Sequence, residues 1–406
     1  MDSPDNTNDT IAVLALEQGL ILQGVAIGAI ENDKHFTCGE VVFNTAMTGY
    51  QEVISDPSYC EQIIMFTAPH IGNVGVNKLD TESDETNNRI WSNGIIINYL
   101  SLVDSSWRAE SSLNNYLIKN KLIGIANIDT RALTVALRDH GAQKGCIYLV
   151  KNKNNLKQDL KQIAQEALRL AREHRSLANL DLAKVVTCSK TYTYQSSQSS
   201  QSLTSHKIHI IVYDFGVKLQ ILRLLANRHC RVTVVPAITS IEQVLAMKPD
   251  GVVLSNGPGD PAACEYAIEN TKKLLQTEIP VFGICLGFQI LALAMGAKTV
   301  KMKFGHHGSN HPVQDLESRN VMITSQNHGF MVDEKSLTDQ IIVTHRSLFD
   351  QTIQGIKHIS LPVIAFQGHP EASPGPKDME YLFDVFIENA SKYQIKSAST
   401  SFTSLV

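Results

Sequence analysis

The second half of the sequence alternates short apolar runs with amphipathic segments. The apolar runs at 208–213, 231–235, 251–255 and 281–284 predict buried strands, and the segments near 218–228, 240–248, 262–276 and 286–295 predict helices. Such alternation is typical of a parallel, doubly wound sheet. After Lys298 the predicted strands are more closely spaced, and a helix from about 378 to 391 is expected to end the fold. Thr239 and Glu242 match a capping box for the second helix.

The first half shows a different pattern, in which short strands outnumber helices. Apolar runs at 11–16 and 20–27 flank a glycine turn and predict a hairpin, and further strands are expected near 41–44, 62–67 and 94–99. Asp129 is a predicted N-cap for a helix that ends before Gly141. We predict a smaller mixed α/β domain here, with no catalytic set of its own and a role in binding a partner.

Between the two halves the pattern changes twice. Apolar residues recur with a helical period from about 156 to 174, and from 189 to 205 the composition collapses to Ser, Gln, Thr and Tyr. Such a polar segment cannot bury enough apolar surface to offset its ordering entropy, so it predicts a flexible linker. The predicted plan is a domain at 1–150, a helix and linker at 151–206, an α/β domain of doubly wound, mostly parallel sheet at 207–395, and a polar tail at 396–406.

Composition narrows the class of protein. The chain has 406 residues, of which 43% are hydrophobic and 19% charged, and a formal charge of −4 that gives no case for nucleic-acid binding. Its polar, acidic first ten residues do not match a signal peptide, and no apolar stretch approaches the roughly 18 residues that span a bilayer. We therefore expect a cytoplasmic protein. Seven scattered cysteines form neither a paired framework nor a metal-binding spacing.

One cysteine stands where a catalytic nucleophile would be placed. Cys285 lies between the predicted strand 281–284 and the predicted helix that follows, with Gly283 and Gly287 on either side. These glycines permit a sharp turn that presents the thiol at the mouth of the sheet. The helix N-terminus also favours the thiolate, which is the reactive form. A free cysteine is more often a small buried hydrophobe, but the strand-to-helix switch between two glycines favours the nucleophile.

A thiolate nucleophile requires a base, and the base requires a group that orients it. The apolar strand at 363–366 leads into Gly368, His369, Pro370 and Glu371. In extended chain, residues two apart point the same way, so His369 and Glu371 should project together. His369 is the predicted general base, and Glu371 is predicted to hold its tautomer.

A third motif supplies backbone donors. The strand at 251–255 runs into a turn rich in glycine and proline, from Gly257 to Pro261, which exposes N–H groups without side chains in the way. Acyl transfer needs such donors where the oxyanion develops, and losing one costs about 3 kcal/mol of barrier. Alone, the motif would read as a surface turn, but beside the other two it predicts an oxyanion site.

Other motifs are weaker. Asp214-Phe-Gly216 is similar to a kinase magnesium motif but lacks its partner motifs, so we read it as a strand-to-helix turn. His306, His307 and His311 lie on a glycine loop without useful ligand spacing, so no metal site is predicted. No phosphate-binding Gly-x-x-x-x-Gly-Lys-Ser loop occurs in the sequence, so no nucleotide site is expected in this chain.

Taken together, the motifs resemble a known family. The set around Cys285, with His369-Pro-Glu371 and Asn256-Gly-Pro-Gly-Asp-Pro261, resembles the class I, triad-type glutamine amidotransferases. Motifs elsewhere extend the resemblance along nearly the whole chain to the small chains of carbamoyl phosphate synthases: 43–52, Pro69-His-Ile-Gly-Asn-Val-Gly75, Asp129-Thr-Arg131, Lys303-Phe-Gly-His-His-Gly308 and Gln326-Asn-His-Gly-Phe330.

The resemblance implies roles for single residues. Cys285 would attack the glutamine side-chain amide, His369 would shuttle protons and Glu371 would orient it. Residues at glutamine-binding positions are Ala46, Gly257, Gly259, Leu286, Gln289, Asn327, Gly329 and Phe330. The Leu286 N–H and the turn from Gly257 to Gly259 would form the oxyanion hole. Two positions depart from the family pattern, since Ala46 is often serine and Phe288 is often histidine in such chains.

The resemblance also implies a partner. A large synthetase subunit would use the ammonia with bicarbonate, ATP and magnesium to make carbamoyl phosphate for arginine and pyrimidine synthesis, so this chain would need no cofactor. Two other functions stay open at this stage. One is a stand-alone cysteine hydrolase of γ-glutamyl or peptide bonds, and the other is a non-catalytic regulatory subunit.

Overall fold

A computed structural model describes residues 10–31, 35–83, 89–150, 156–195 and 208–403, with the side chains of 156–159 and 398–403 excepted. Contacts divide the chain into two compact units. The first contains the described residues of Met1–Thr81 and Asn87–Leu177, and the second contains those of Ala178–Val406 together with Glu82 and Ser83. None of the described helices combines the length and the apolar character that crossing a lipid bilayer would need.

The first unit is a closed barrel with strands in the order β1-β2-β8-β6-β4-β3-β9. Its strands are β1 (Ile11–Leu16), β2 (Ile21–Gly28), β3 (Phe36–Asn44), β4 (Gln62–Phe66), β6 (Gly94–Ile96), β8 (Ile123–Ala126) and β9 (Gln143–Val150), with β5 (His70–Ile71) and β7 (Tyr99–Leu100) paired separately. Its helices are α1 (Tyr50–Ser55), α2 (Leu113–Lys119), α3 (Thr130–His140) and α4 (Leu156–Glu173). The mixed α/β character predicted for this half is confirmed.

Two of its helices test the sequence patterns directly. Helix α3 begins after Asp129, whose side chain accepts a hydrogen bond from the Ala132 N–H at 2.9 Å, and it ends at Gly141 with φ of 95°, as predicted. Helix α4 forms where the helical period predicted it. It packs on β1 and β9, so it belongs to the first unit rather than to a separate linker segment. Buried Ala167 and Ala171 lie on the face that contacts the barrel.

The second unit contains one twisted sheet in the order β10-β12-β11-β13-β14-β19-β18-β17-β15-β16. Its strands are β10 (Tyr192–Thr193), β11 (Ile208–Asp214), β12 (Cys230–Pro236), β13 (Gly251–Leu254), β14 (Val281–Ile284), β15 (Thr299–Asp315), β16 (Val321–Val332), β17 (Ile341–Ser347), β18 (Ile353–His358) and β19 (Val363–Phe366). Its helices are α5 (Ala183–Val186), α6 (Leu219–Asn227), α7 (Ile241–Ala246), α8 (Glu265–Leu274), α9 (Leu286–Ala294) and α10 (Tyr381–Thr403).

The predicted doubly wound fold is confirmed in this unit. Strands β12, β11, β13, β14 and β19 pair in parallel, while β10 and β15 to β18 extend the sheet with antiparallel pairs. Apolar residues of α7, α8 and α9 form the core on one face, and those of α6 and α10 form the core on the other. The carboxyl ends of β13, β14 and β19 therefore meet at one edge, where ligands bind in such sheets.

Three local predictions are corrected. The capping box of α7 is formed by Ser240 and Gln243, one residue later than the predicted Thr239 and Glu242, because Ser240 has the extended backbone that an N-cap needs. Within the predicted linker, Tyr192 and Thr193 pair with β12, while 196–205 lie outside the described residues. The last helix continues to Thr403, through most of the predicted polar tail.

The corrected capping box can be tested by stability. We expect Ser240→Ala to lower the free energy of unfolding by about 1 kcal/mol, because the N–H of Gln243 loses its side-chain acceptor. Thr239→Ala is the matched control and should have little effect, since the acceptor at Thr239 is its backbone carbonyl. Urea unfolding of the full chain, followed by circular dichroism, measures both. An equal loss in the two variants would contradict the assignment.

Candidate active site

Cys285 lies on a sharp turn between β14 and α9. It has φ of 51° and ψ of −101°, a backbone conformation that side-chain-bearing residues rarely adopt. The two flanking residues must be glycines, because neither position has room for a Cβ atom. A Cβ at Gly287 would lie 2.0 Å from the Leu254 carbonyl oxygen, and a Cβ at Gly283 would lie 2.5 Å from a Leu291 methyl carbon. The sequence thus forms the predicted strand, turn and helix, with the thiol on the turn.

The thiol is buried and meets the backbone of β16. Its Sγ lies 3.4 Å from the carbonyl oxygen of Asn327, to which the S–H donates. The Cys285 N–H donates to the Phe366 carbonyl at 2.9 Å, which continues the pairing of β14 with β19 by one residue. Cys285 is 2% exposed, so a reactant would reach the sulfur inside the protein rather than at an open surface.

His369 and Glu371 meet as predicted, but not on a strand. β19 ends at Phe366, and the chain then turns so that the Ala372 N–H donates to the His369 carbonyl at 3.0 Å. The His369 N–H donates to the Ser325 carbonyl at 2.8 Å, and its Nδ1 lies 2.6 Å from Glu371 Oε1. Among the described residues, Nε2 has no conventional hydrogen-bond partner. It is the ring nitrogen available to the Cys285 sulfur.

The protonation states of His369 and Glu371 are influenced by the buried side chain of Lys218. Lys218 Nζ lies 3.1 Å from Glu371 Oε1 and donates to the Ala372 carbonyl. Burial would raise the pKa of Glu371, but Lys218 and then His369 lower it to about 2. Burial would lower the pKa of His369, but the Glu371 carboxylate and the Cys285 sulfur raise it to about 10 despite Lys218. The Glu371 carboxylate therefore stabilises the imidazolium and makes the ring a stronger acceptor for the thiol proton.

Lys218 was not predicted from the sequence. It immediately precedes α6, in the turn after Asp214-Phe-Gly216 that we interpreted as structural. Asp214 does hold that turn, since its carboxylate accepts from the N–H groups of Gly216 and Val217. A lysine next to such a turn at a strand's carboxyl end was the available signal.

Glu82 is a second buried charge that the sequence did not reveal. Its carboxylate accepts from Ser373 Oγ at 2.6 Å and from the Gln220 N–H at 3.0 Å, and it lies 3.4 Å from Arg223. Burial raises the pKa of Glu82, while Lys218 and these partners oppose the shift. The residue thus links the start of α6 to the segment that follows Glu371. No local pattern around position 82 marks it.

The glycine-rich turn lies beside the nucleophile. A Cβ at Gly257 would lie 2.2 Å from the Phe215 carbonyl oxygen and 2.9 Å from a methyl carbon of Leu286, so only glycine fits there. Leu286 is the first residue of α9, where a backbone N–H has no acceptor within the helix. Gly259, with φ of 94°, instead packs against the backbone of Leu180 and Leu182. Of the two predicted glycines, Gly257 is the one in contact with Leu286.

The remaining predicted positions lie on α9, which contains Gln289, and on β16, which contains Asn327, Gly329 and Phe330. Gln289 Nε2 donates to the Phe330 carbonyl at 2.8 Å and to Gln367 Oε1 at 3.0 Å, so both hydrogens of its amide group are used inside the protein. Asn327 Oδ1 lies 2.8 Å from His307 Nδ1. A Cβ at Gly329 would meet nothing within 4 Å, which leaves open space at that point of β16.

The two departures from the family pattern lie in different places. Ala46 is in the first unit, where its N–H donates to the Asn44 side chain at 2.8 Å. Its proximity to the nucleophile stays a prediction. Phe288 is fully buried in the core between α9 and the sheet.

His306, His307 and His311 lie on strand β15 and not on the predicted loop, because this segment pairs with β16. Within the described ranges, no group of three or more His, Cys, Asp or Glu side chains is arranged to hold a metal ion. His306 instead contacts Asp350 at 2.9 Å, and its ring lies 5.1 Å from that of His311. Burial and then the neighbouring histidines lower the pKa of His311 to about 3, so this ring is neutral.

The buried ion pair should make stability depend on pH. The pKa of His369 rises from 6.5 to about 10 on folding, so its contribution is complete below pH 6.5 and is lost as pH rises towards 10. The pKa of Glu371 falls from 4.5 to about 2, so its contribution is present above pH 4.5 and is lost at lower pH. We expect Glu371→Gln to flatten the decline in unfolding free energy above pH 6.5.

Denaturant unfolding at a series of pH values measures this slope. Glu334→Gln is the matched control, because it removes a carboxylate paired with Arg346 at the surface and should leave the slope unchanged. A Glu371→Gln variant with the wild-type slope would show that the carboxylate does not raise the imidazole pKa.

Comparisons with known proteins identify the family of the chain. The family model described as glutamine amidotransferase class-I matches residues 211–389, and the model described as carbamoyl-phosphate synthase small chain, CPSase domain, matches residues 14–147. A carbamoyl phosphate synthase small chain from Haemophilus ducreyi is 52% identical over 93% of this chain and 97% of its own length. A carbamoyl phosphate synthase small chain from Acinetobacter baylyi is 55% identical over 93% of this chain and 98% of its own length. The chain belongs to the carbamoyl phosphate synthase small-chain family.

Proposed function

We propose that this chain is the glutamine-hydrolysing subunit of a carbamoyl phosphate synthase. It converts L-glutamine to glutamate and ammonia through a cysteinyl thioester. The observation that carries the proposal is the convergence of Cys285 with the buried His369–Glu371 pair at the carboxyl ends of β14 and β19. Family membership over nearly the whole chain supports the same reaction.

The chemistry begins with proton transfer from sulfur to His369 Nε2. Nδ1 of the ring is held by Glu371, so Nε2 is the atom that can take the proton, and the carboxylate stabilises the imidazolium that results. The sulfur then attacks the side-chain amide carbon of glutamine. His369 returns the proton to the leaving nitrogen, and ammonia departs from the tetrahedral intermediate. Water, deprotonated by the same ring, hydrolyses the thioester to glutamate.

The negative charge of the tetrahedral intermediate requires donors. We assign this role to the N–H of Leu286, at the positive end of α9, together with the turn at Gly257 that touches it. The S–H bond to the Asn327 carbonyl must break when the sulfur loses its proton, because a carbonyl cannot donate to a thiolate. Asn327 therefore contacts the sulfur most favourably before the reaction starts.

The amino-acid end of glutamine needs groups of its own. Gln289 has both amide hydrogens bound to Phe330 and Gln367, so its Oε1 is the atom left to accept a hydrogen bond from the substrate ammonium. Gly329 leaves room beside it, and Phe330 and Asn327 flank that space on β16. Gly259 and Ala46 keep their assigned roles as glutamine-binding positions by family resemblance alone. At Ala46 no hydroxyl is available to contact the substrate.

Ammonia must be used by a partner. We propose a large synthetase subunit that binds ATP, magnesium and bicarbonate and makes carbamoyl phosphate in the cytoplasm, for arginine and pyrimidine synthesis. The absence of a phosphate-binding loop motif from the sequence supports placing the ATP chemistry outside this chain. No cofactor is assigned to the chain itself.

The two other functions considered from the sequence are less well supported. A stand-alone hydrolase of γ-glutamyl bonds would not account for the match of residues 14–147 to the small-chain domain. A purely regulatory subunit would not account for a buried imidazole held between Glu371 and Cys285. Release of product from γ-glutamyl peptides without any partner would favour the first.

Replacement of the nucleophile tests the proposal. In complex with the large subunit, Cys285→Ser should lower glutamine-dependent carbamoyl phosphate synthesis by more than about 1000-fold, since the hydroxyl is a far weaker nucleophile. Synthesis from added ammonia should continue at the wild-type rate. Both rates are measured on the same purified complex, together with glutamate release by the chain with and without its partner.

Cys230→Ser is the matched control, because Cys230 is a buried cysteine of the same unit on β12 and burial raises its pKa to about 12. It should keep both rates. Mass spectrometry of the wild type after rapid quenching should find a glutamyl adduct on Cys285. Loss of ammonia-dependent synthesis in folded Cys285→Ser complex, or full glutamine-dependent activity, would contradict the proposed division of labour.

A further inference from the structure

A second pair of reactive groups lies in the barrel of the first unit. Cys38 on β3 and Cys146 on β9 are directly opposite each other in an antiparallel pair. Both are free thiols. They are more than a hundred positions apart in the sequence, so their spacing along the chain gave no sign of a pair. Neither takes part in the proposed glutamine reaction.

The pairing is of the kind in which side chains approach most closely. The Leu149 N–H donates to the His35 carbonyl at 2.7 Å, and these two residues are opposite each other in the same register. Hydrogen-bonded pairs alternate with non-hydrogen-bonded pairs, so the Phe36–Tyr148 and Cys38–Cys146 pairs are both non-hydrogen-bonded. The rings of Phe36 and Tyr148 indeed stack at 5.9 Å.

This geometry matches that of a disulfide. Opposite residues in a non-hydrogen-bonded pair have Cα atoms about 4.5 Å apart, and disulfides span Cα separations of about 4.4 to 6.8 Å. The two side chains also project to the same side, because residues directly opposite share a face of the sheet. A bond between the sulfurs would therefore need little movement of the backbone.

The pair lies on the outer face of the barrel, beneath α4. Cys146 is fully buried with Val13, Ala15, Ala167 and Ala171. Cys38 packs at the margin of this cluster and is only partly buried. A small solute can thus reach the Cys38 thiol, while the Cys146 thiol is buried behind it.

The two thiols also differ in acidity. The Cys146 S–H donates to the Cys38 sulfur, which lowers the pKa of Cys38 in spite of its burial. The same contact, burial and the nearby Glu166 raise the pKa of Cys146. By contrast, burial raises the pKa of Cys60 to about 12. Because Cys38 is the partly exposed thiol and Cys146 the fully buried one, Cys38 is the nucleophile of the pair and Cys146 is placed to react with it next.

We propose that Cys38 and Cys146 form a peroxide-oxidisable dithiol that closes to a disulfide across β3 and β9. The Cys38 thiolate attacks one oxygen of a hydroperoxide, which breaks the O–O bond and yields a sulfenic acid and water or an alcohol. The Cys146 sulfur then attacks the sulfenic sulfur, the S–S bond forms, and the hydroxyl leaves as water with the Cys146 proton. Two thiols are oxidised and one peroxide is reduced. Cellular thiols reverse the reaction.

Peptide mapping of the full-length chain tests the proposal. After treatment with a few equivalents of hydrogen peroxide, free thiols are alkylated and the protein is digested without reduction. We expect most of Cys38 to be recovered in a peptide linked to Cys146, two hydrogens lighter than the separate peptides. Dithiothreitol should restore both thiols. In Cys146→Ser, Cys38 should instead be trapped by dimedone as a sulfenic acid, and in Cys38→Ser the thiol of Cys146 should stay reduced.

Cys60→Ser is the matched control, since Cys60 is a buried cysteine in the same unit, and this variant should form the linked peptide as the wild type does. The wild-type map decides the question even if a Cys38 or Cys146 variant fails to fold. Recovery of Cys38 and Cys146 as separate alkylated thiols, while Cys285 in the same sample is oxidised, would overturn the proposal. A link from Cys38 to any other cysteine would also overturn it.

Discussion

The site depends on the buried Glu371 carboxylate, which Lys218 keeps ionised and which makes His369 a stronger base. Taking an isolated carboxylate or imidazolium out of water is costly, and at 2% exposure neither group has solvent to compensate. Together with Lys218 they form a line of alternating charge in which each member stabilises the next. Removing one partner would leave the others buried and uncompensated, which is the more damaging change. The array of Lys218, Glu371 and His369 therefore stabilises the local structure and also sets how readily His369 takes up a proton.

The array is assembled from distant parts of the sequence because the sheet brings strand ends together. Lys218 follows β11, Cys285 follows β14, and His369 lies three residues beyond β19. Parallel strands end at the same edge, and short turns after them are where side chains converge. Glycine makes the convergence tighter. A Cβ at Gly287 would push α9 away from the Leu254 carbonyl of β13, and a Cβ at Gly257 would push the turn after β13 away from the Phe215 carbonyl.

The sequence predicted those features whose signal is local. The strand, turn and helix around Cys285 follow from glycine spacing and an apolar run, and the cap of α3 follows from Asp129. Lys218 and Glu82 were missed because a buried charge is recognisable only when its partners are known, and those partners lie far away along the chain. The capping box was misplaced by one residue because Thr239 and Ser240 are both capable N-caps. The backbone conformation, not the residue type, decides between them.

The antiparallel extension of the sheet completes the site through backbone carbonyls rather than side chains. On β16, the carbonyls of Ser325, Asn327 and Phe330 accept from the His369 N–H, the Cys285 thiol and the Gln289 amide respectively. Backbone groups carry no residue signature, so the family motif at 326–330 indicated this strand without showing that its carbonyls are the contacting atoms. The register of β16 against β15 shifts on both sides of the His307–Asn327 pair. The regular pairing around Asn327 is therefore limited to the few residues between the two shifts. A shift of one residue would turn every side chain of β16 to the opposite face and place a different carbonyl at each contact. The pairing of β15 with β16 therefore fixes the positions of the carbonyls that accept from the Cys285 thiol and the Gln289 amide group.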